Sequence, residues 1–384
     1  MSTPWQILNI EKCIEQVKYP NKIPRKNFLK EGLYPIISQE QDFINGYWTN
    51  ETDVFHVDEP IIIFGDHTKI LKYVDFDFVL GADGVKILKP KEFIDPKYFY
   101  YFLNSCPIES LGYARHYRIL KELDVRFPIL LSEQKRIVGI LDEAFEGCDR
   151  VIRNTEKNLA NSRELFESYL NAIFNQKGDR WEWVNFSEIT TDISDGDHQP
   201  PPKSDSGIPF ITISNIDKQN RKIDFSDTFK VPIEYFEKLK HNRKPRKGDL
   251  LYTVTGSYGI PVIVDHDMDF CFQRHIGLIR PNDETNSKCL YYILLSRHLL
   301  NQAHECATGT AQKTVSLSGL RRFSVPKIPK EEQEIIVAKL DDISEQISHL
   351  EAIYKQKLTA LKELKQSILQ KAFTGKLTTD SLRC

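Results

Sequence analysis

The chain lacks most of the short motifs that carry enzyme chemistry. No Gly-x-x-x-x-Gly-Lys-Ser/Thr phosphate loop is present; Thr308-Gly309-Thr310-Ala311-Gln312-Lys313-Thr314 has the Lys-Thr pair but not the glycine frame that cradles phosphates. No Asn-Pro-Pro-Tyr-like amino-methyltransferase motif occurs, because Pro200-Pro201-Pro202 lacks the preceding Asn, Asp or Ser and the following aromatic. Neither ATP nor S-adenosylmethionine is therefore expected on this chain, and no carboxylate–lysine cluster suggests a stand-alone nuclease. The seven cysteines (Cys13, Cys106, Cys148, Cys271, Cys289, Cys306 and Cys384) are odd in number, and no pair has metal-ligand spacing. They read as reduced thiols of a cytoplasmic protein and exclude a zinc site or a disulfide frame. Asp195, Asp197 and His198 have no ligand partner at a recognisable spacing; with prolines behind them they read as a turn. Net charge is scarce too, since 52 Lys and Arg oppose 54 Asp and Glu. That balance argues against a generally cationic nucleic-acid coat protein and leaves room for local basic patches. No apolar run is long enough to span a bilayer, and the opening residues have no signal-peptide apolar core, so no membrane partner is expected.

What is present is a long helical pattern that occurs twice. One copy starts at Glu133-Gln134 and the other at Glu332-Gln333, 199 residues on. With that single offset Ile137 falls on Ile336, Leu141 on Leu340, Asp142 on Asp341, Leu170 on Leu369 and Phe174 on Phe373. Copy one places Ile137, Leu141, Ala144, Cys148, Val151, Thr155, Leu159, Ser162, Phe166 and Ile173 on one stripe. Copy two places Ile336, Leu340, Ile343, Ile347, Leu350, Tyr354, Leu358, Leu361, Ile368 and Phe373 there. Steps of three and four are a helical period, and sustained this long they point to a coiled-coil seam. No proline interrupts either copy, so each predicts a rod of roughly 60 Å. One rod alone would expose its stripe. Packing the two copies antiparallel is the economical arrangement; two separate helices, each on its own domain, is the alternative.

A strand-rich stretch precedes each rod, and the second stretch restarts the first. Trp5-Gln-Ile-Leu-Asn-Ile is echoed by Trp181-Glu-Trp-Val-Asn-Phe, and Gly32-Leu-Tyr-Pro-Ile-Ile more loosely by Gly207-Ile-Pro-Phe-Ile-Thr. Tyr100-Tyr101 is echoed by Tyr291-Tyr292, and Leu120 and Leu123 by Leu317 and Leu320. Asp95-Pro96 predicts a short helix with Asp at its cap and Pro in its first turn. Scaffold positions repeat, whereas the loops between them do not. Two similar scaffolds on a rigid spacer make two similarly oriented heads, and divergent loops let them read different things. A bipartite duplex DNA site fits, because a groove presents the same face after one helical turn of about 34–36 Å.

These residues resemble a known family. The segments EQKRIVGILDEA from Glu133 and EQEIIVAKLDDISEQI from Glu332, with the tail Ala372-Phe373-Thr374-Gly375-Lys376-Leu377, are similar to the helical regions of type I restriction-modification specificity subunits. The run from Ala307 through Gln333 and the loop Asp195-Gly196-Asp197-His198-Gln199-Pro200 are similar to parts of their target recognition domains. The first copy departs in its tail, which ends Phe174-Asn-Gln-Lys177-Gly178, and has no clear counterpart of the Asp-Gly-Asp-His-Gln loop. The resemblance implies an α+β fold with a pseudo-twofold internal repeat: two mixed β-rich target recognition domains separated by two long antiparallel coiled-coil helices. The expected boundaries are 1–130 and 179–328 for the recognition domains, 131–178 and 329–377 for the helical spacers, and 378–384 for a tail. It also implies a non-catalytic subunit that binds double-stranded DNA. Its partners would be two adenine methyltransferase subunits and, in the full complex, two restriction subunits, with S-adenosylmethionine, ATP and magnesium on the partners. A coiled-coil adaptor that binds proteins and not DNA is the alternative function.

Candidate DNA contacts follow from side-chain chemistry. Phosphates take Lys, Arg, hydroxyl and amide donors; in the major groove Arg or Lys reads guanine and Asn or Gln reads adenine. In the second domain the basic run from Lys238 to Lys247, with Arg243 and Lys244 at its centre, fits either a phosphate-tracking edge or a solvated loop before a strand. Ser257 and Tyr258 lie in a glycine-flanked loop, and Gln273 and Arg274 lie on or beside a strand that ends at Arg280-Pro281. Thr310, Gln312 and Lys313 lie in a polar loop, and His198 and Gln199 complete the set. In the first domain the candidates are the basic stretch with Lys22, Arg25 and Lys26, the loop with His67 and Lys69, and the group Arg115, His116 and Arg118, read as matching Gln312 to Val315. Each of these first-domain residues also has an ordinary reading as a surface charge, and the loop with Ser257 and Tyr258 as a plain turn. The mixed charges of the rods, such as Arg150, Arg153 and Glu156, are either a solvated face or a docking face for partners.

Overall fold

The two proline-free stretches each fold as one helix of 44 residues, Leu131–Phe174 and Lys330–Phe373, about 66 Å long at 1.5 Å per residue. They are the first and second long helices below. The structure, a computed structural model, describes residues 4–19, 21–82, 84–109, 112, 114–174, 181–196, 198–310 and 312–374. Asp197, Ala311, Lys177 and Gly178, and the tail from Gly375 onward, lie outside the described residues.

The chain divides into two compact units, and the division does not follow chain order. One comprises Met1–Glu156 with Lys355–Cys384, the other Lys157–Tyr354. Each long helix therefore contributes to both. In the first unit Ile137, Leu141 and Phe145 share a core with Ile368, Leu369 and Phe373, and Lys365 Nζ donates to Asp149 Oδ1 at 2.7 Å. Low numbers on one helix meet high numbers on the other, so the segments are antiparallel. In the second unit Leu170 and Phe174 share a core with Ile336 and Leu340, and Arg163 Nε donates to Glu351 Oε1 at 2.8 Å. The seam and the domain cores are thus continuous within each unit. None of the ten stripe positions of the first helix is exposed. On the second helix Leu350 departs from expectation: it is 39% exposed, while its neighbour Glu351 turns to Arg163.

The β-rich parts repeat most of their strands, while Val54–Phe55 has no paired counterpart among the described strands of the second unit. In the first unit one sheet has the order Ile14–Glu15, Val85–Pro90, Ile61–Gly65, Leu71–Val74; in the second the order is Thr190–Asp195, Ile276–Pro281, Leu250–Thr253, Pro261–Ile263. The other sheet has Gly46–Trp48, Tyr34–Ile37, Phe78–Leu80 and Val54–Phe55 in the first unit, and Phe229–Val231, Ile208–Ile211 and Cys271–Phe272 in the second. Its one parallel pairing recurs, Ile36 opposite Val79 and Phe210 opposite Cys271. Trp5–Asn9 pairs with Asp124–Pro128, and Glu182–Asn185 with Ser324–Lys327, so each head starts and ends on adjacent strands.

Hydrogen bonds correct one sequence match. Leu123 N–H donates to Leu120 O and Phe323 N–H to Leu320 O, both at 3.1 Å, while Leu123 O and Phe323 O accept from Ile10 and Phe186. Leu120 therefore corresponds to Leu320, not Leu317, and the segment Arg115 to Arg118 corresponds to residues C-terminal of the expected match, Gln312 to Val315. Short apolar similarity had been satisfied three residues early.

The Glu-Gln pairs have a structural reason. Gln134 is buried; its amide donates to Pro128 O at 2.9 Å and Phe93 O at 3.0 Å, and its carbonyl accepts from Asp95 N–H at 2.8 Å. Gln333 does the same with Ile328 O and Glu284 O, both at 2.8 Å, and with Asn286 N–H at 2.6 Å. Asp95 and Asn286 cap the short helices Pro96–Ser105 and Ser287–Leu295. One side chain so joins a domain helix, an incoming strand and the start of the rod, satisfying groups that burial would otherwise leave unpaired.

Candidate nucleic-acid interface

In the second unit strand Thr190–Asp195 ends at a carboxylate that gathers two expected contacts. Asp195 Oδ2 lies 2.7 Å from His198 Nε2, and Oδ1 accepts from Arg243 Nη2 at 3.3 Å. Both of these oxygens are used within the protein, and among the described residues no group of three His, Cys, Asp or Glu has metal-site geometry. Gly196 lets the chain lie on strand Cys271–Phe272, since a Cβ there would sit 1.9 Å from Phe272 O. Gln273 and the exposed Arg274 follow that strand directly. Burial, then the Arg274 charge, lowers the pKa of His275. His275 O accepts from Val254 N–H at 3.0 Å, which brings the loop carrying Ser257 alongside. Gly256 N–H in turn donates to Lys313 O at 3.0 Å. Thr308 and Thr314 exchange backbone hydrogen bonds of 3.0 and 2.8 Å, closing a tight loop on which Thr310, Gln312 and Lys313 are exposed. His198 with Gln199, Arg243, Gln273, Arg274, Ser257, Thr310, Gln312 and Lys313 thus lie along one continuous run of neighbouring loops.

Two expected residues point elsewhere. Lys244 Nζ lies 4.9 Å over the Phe236 ring and donates to Glu237 O at 3.0 Å. The Tyr258 hydroxyl lies 2.7 Å from His304 Nδ1. The Lys244 carbonyl is held by Arg280 Nη2 at 2.9 Å, and Arg280 also forms a buried pair with Asp249 at 2.7 Å. The basic run is therefore anchored to the sheet at its centre.

In the first unit the matching hairpin loop, between Ile61–Gly65 and Leu71–Val74, is the meeting point. Asp66 O accepts from His116 N–H at 2.8 Å and from His116 Nδ1 at 3.0 Å, and Asp66 Oδ1 accepts from Tyr117 N–H at 2.7 Å. His67 N–H donates to Gln39 Oε1 at 3.2 Å, and Lys69 Nζ donates to Ile108 O at 3.3 Å. Arg115 and Arg118 are exposed on the segment held there. His116 is a correction: it is fully buried, and its ring braces the loop instead of facing outward. Ile23 N–H donates to Leu80 O at 2.9 Å, so Lys22 to Lys26 run beside strand Phe78–Leu80 as Gly196 runs beside its counterpart. Lys22 is half-buried, donating to Val85 O at 2.9 Å. Arg25 faces Glu40 at 3.8 Å and Lys26 is exposed.

Sequence reasoning missed one rim element in each unit. In the first, Lys72 is buried and donates to Asp42 O, Phe43 O and Asn45 Oδ1. Its ammonium shapes loop 39–45, which presents the exposed Gln41, Phe43 and Ile44 next to His67. Burial lowers the Lys72 pKa, opposed by Glu40 and Asp42. In the second, strands Ile216–Asp217 and Lys222–Ile223 form a hairpin whose Lys218 Nζ donates to Ser257 Oγ at 2.9 Å. The polar run Asp217 to Lys222 between two isoleucines was its only sequence signal. Lys72 had none, because its acceptors lie on another segment.

A family model described as type I restriction modification DNA specificity domain matches residues 4–161 and 185–360. The chain is 29% identical over 181 residues to the type I restriction enzyme EcoBI specificity subunit of Escherichia coli, covering 47% of this chain and 38% of that protein. It is 24% identical over 325 residues to a putative type I restriction enzyme specificity subunit of Haemophilus influenzae, covering 78% and 77%. The aligned part spans less than half the length of the first Escherichia coli relatives, 38% and 46%. A solved structure titled as the basis of complex assembly and conformational transition of the type I R-M system superposes with a TM-score of 0.74 at 19% identity, over 98% of this chain and all of that one. No described helix is long and apolar enough to cross a membrane.

Proposed function

Because the chain belongs to the type I restriction-modification DNA specificity family, we propose that it is the sequence-reading subunit of such a complex. Each head reads one half of an asymmetric bipartite site in double-stranded DNA. The two long helices set the gap between the halves and dock the partner subunits. Methyl transfer to adenine N6 and any cleavage belong to those partners, with their S-adenosylmethionine, ATP and magnesium; this chain supplies affinity and register, not chemistry.

One observation carries the reading: a scaffold duplicated in most of its strands bears rim loops that are not duplicated. A pure adaptor has no need of two unlike polar rims placed at matching positions. Phosphate contacts from Arg25, Lys26, Arg115, Arg118, Arg243 and Lys313 would position the duplex, and Gln199, Gln273, Arg274 and Gln312 are the groups suited to base edges. The test is co-expression with a cognate adenine methyltransferase subunit, followed by mapping of N6-methyladenine across the host genome. A two-part motif with a fixed gap is expected, and replacing residues 179–328 by another such domain should change one half only. A stable complex without site-specific methylation, and without salt-sensitive DNA affinity, would favour the adaptor.

A further inference from the structure

Each head is tied to its rod at a second point. Lys97 Nζ and the Tyr101 hydroxyl, one turn apart on helix Pro96–Ser105, donate to the two oxygens of Asp142 at 2.8 and 2.6 Å. In the second unit Lys288 Nζ and the Tyr292 hydroxyl donate to Asp341 at 2.6 and 2.6 Å. The same three residue types, on matching elements, make the same two bonds to a carboxylate at the same position of each long helix. The apolar contact beneath, where Tyr101 packs edge-on against Phe145 at 5.3 Å, is only weakly directional and tolerates some sliding. The polar bonds do not, because their strength falls steeply with angle.

The buried Gln and the Asp are eight residues apart on each long helix, at 134 and 142 and at 333 and 341, or about 12 Å along its axis. One tie fixes a point and leaves a body free to swing. Two ties fix the angle. We propose that the Lys–Asp–Tyr clamps, Lys97–Asp142–Tyr101 and Lys288–Asp341–Tyr292, are positioning elements that set the angle of each head on its helix, and thereby the gap length the complex accepts. The inference rests on the reading of the helices as a spacer. The clamp carboxylates are partly open to solvent, with side chains 38% and 34% exposed, so their loss removes only a small part of the stability that the buried cores supply.

The variants Asp142→Ala, Asp341→Ala and Tyr101→Phe, in the complex with the methyltransferase subunit, are assayed on duplexes carrying the mapped site with its native gap or a gap one base pair longer or shorter. The ratio of methylation at the native gap to that at the altered gaps should fall about tenfold, the order expected for losing a charge-assisted hydrogen bond, with both half-sites unchanged. A DNA-independent measurement separates this from the spacer reading. Spin labels introduced as unnatural amino acids at positions 50 and 150, head and helix of the first unit, should give a broader distance distribution in Asp142→Ala and Tyr101→Phe than in the unaltered chain. An unchanged distribution overturns the clamp whatever the DNA result. An unchanged gap preference with a lowered melting temperature also overturns it, because that is the signature of a merely structural contact.

Discussion

Lys72 and Val262 hold the same place in the two units. Lys72 lies opposite Ile63 in the hairpin that ends at Val74, and Val262 lies opposite Leu251 in its counterpart. Both are buried, at 3% and 1% exposure, yet one is a cation that organises a loop and the other is plain core. Where the first unit builds loop 39–45 around that ammonium, the second builds a hairpin and an Asn215 whose amide donates to Asp224 O and Asp227 O. Each rim has its own polar centre, and in the first unit that centre, Lys72, is part of the strand beneath.

The comparison breaks most sharply one strand over. Arg280 and Lys89 occupy matching strand positions, but Arg280 pairs with Asp249 at 12% and 4% side-chain exposure, and Lys89 pairs with Glu15 at 31% and 38%. Arg280→Met strands a buried carboxylate and should cost ~3–5 kcal/mol. Lys89→Met should cost ~0–1 kcal/mol, as exposed pairs do. Denaturant unfolding of the two variants checks this; equal losses would mean that the units share their electrostatics as well as their fold.

Lys72→Met comes next, at ~2 kcal/mol, because Asp42 O, Phe43 O and Asn45 Oδ1 lose their common donor. Hydrogen exchange should rise in residues 39–45 and not in the second unit, and recognition of the first half-site alone should weaken. The pH dependence has a definite sign. The lowered pKa means that the native state releases this proton before the unfolded state does. From that lowered value up to about 10.4 the unfolded chain binds more protons, so stability is gained as pH rises, and the variant should lose that slope. Gly196→Ala is the converse probe: the added Cβ must push Asp195 and His198 off strand Cys271–Phe272, so the second half-site should weaken by about tenfold or more with the first unaffected. A loss at both half-sites would show that the rims are not independent.

The rods and the repeat were legible because periodicity and a 199-residue offset are written in the order of residues, and helix geometry converts them directly into a stripe. The Asp95 cap was legible for the same local reason. The Glu-Gln pair was legible as a marker but not as a lock, since its partners Asp95 and Pro128 become neighbours only after the head folds. Polar loops such as 308–314 could be named from composition. What composition could not give was direction: His116 and Tyr258 turn toward other protein atoms while Arg115 and Gln312 are exposed, and that choice is made by acceptors such as Asp66 O on distant segments. The three-residue error at Leu120 has a similar origin, since leucines at helical spacing look alike until a strand fixes their register.

The smallest effect tests the two helices themselves. Thr155 and Ser162 are buried in the stripe of the first helix, at 2% and 7% exposure, where the offset of 199 puts Tyr354 and Leu361 in the second. The Thr155 hydroxyl donates to Val151 O at 2.7 Å, a bond made within its own helix. That carbonyl already accepts the backbone N–H of residue 155, so removing the hydroxyl orphans nothing. Val has the same branching as Thr and a single favoured rotamer in a helix, and it exchanges the hydroxyl for a methyl worth ~0.8 kcal/mol when buried. Thr155→Val should therefore stabilise the chain by ~0.5–1 kcal/mol in denaturant unfolding. If the first helix differs from the second only in how it fills the seam, methylation in the complex is unchanged. A destabilised Thr155→Val would show instead that the hydroxyl serves the seam directly, and that the two helices, alike in length and register, are unlike in what their contact requires.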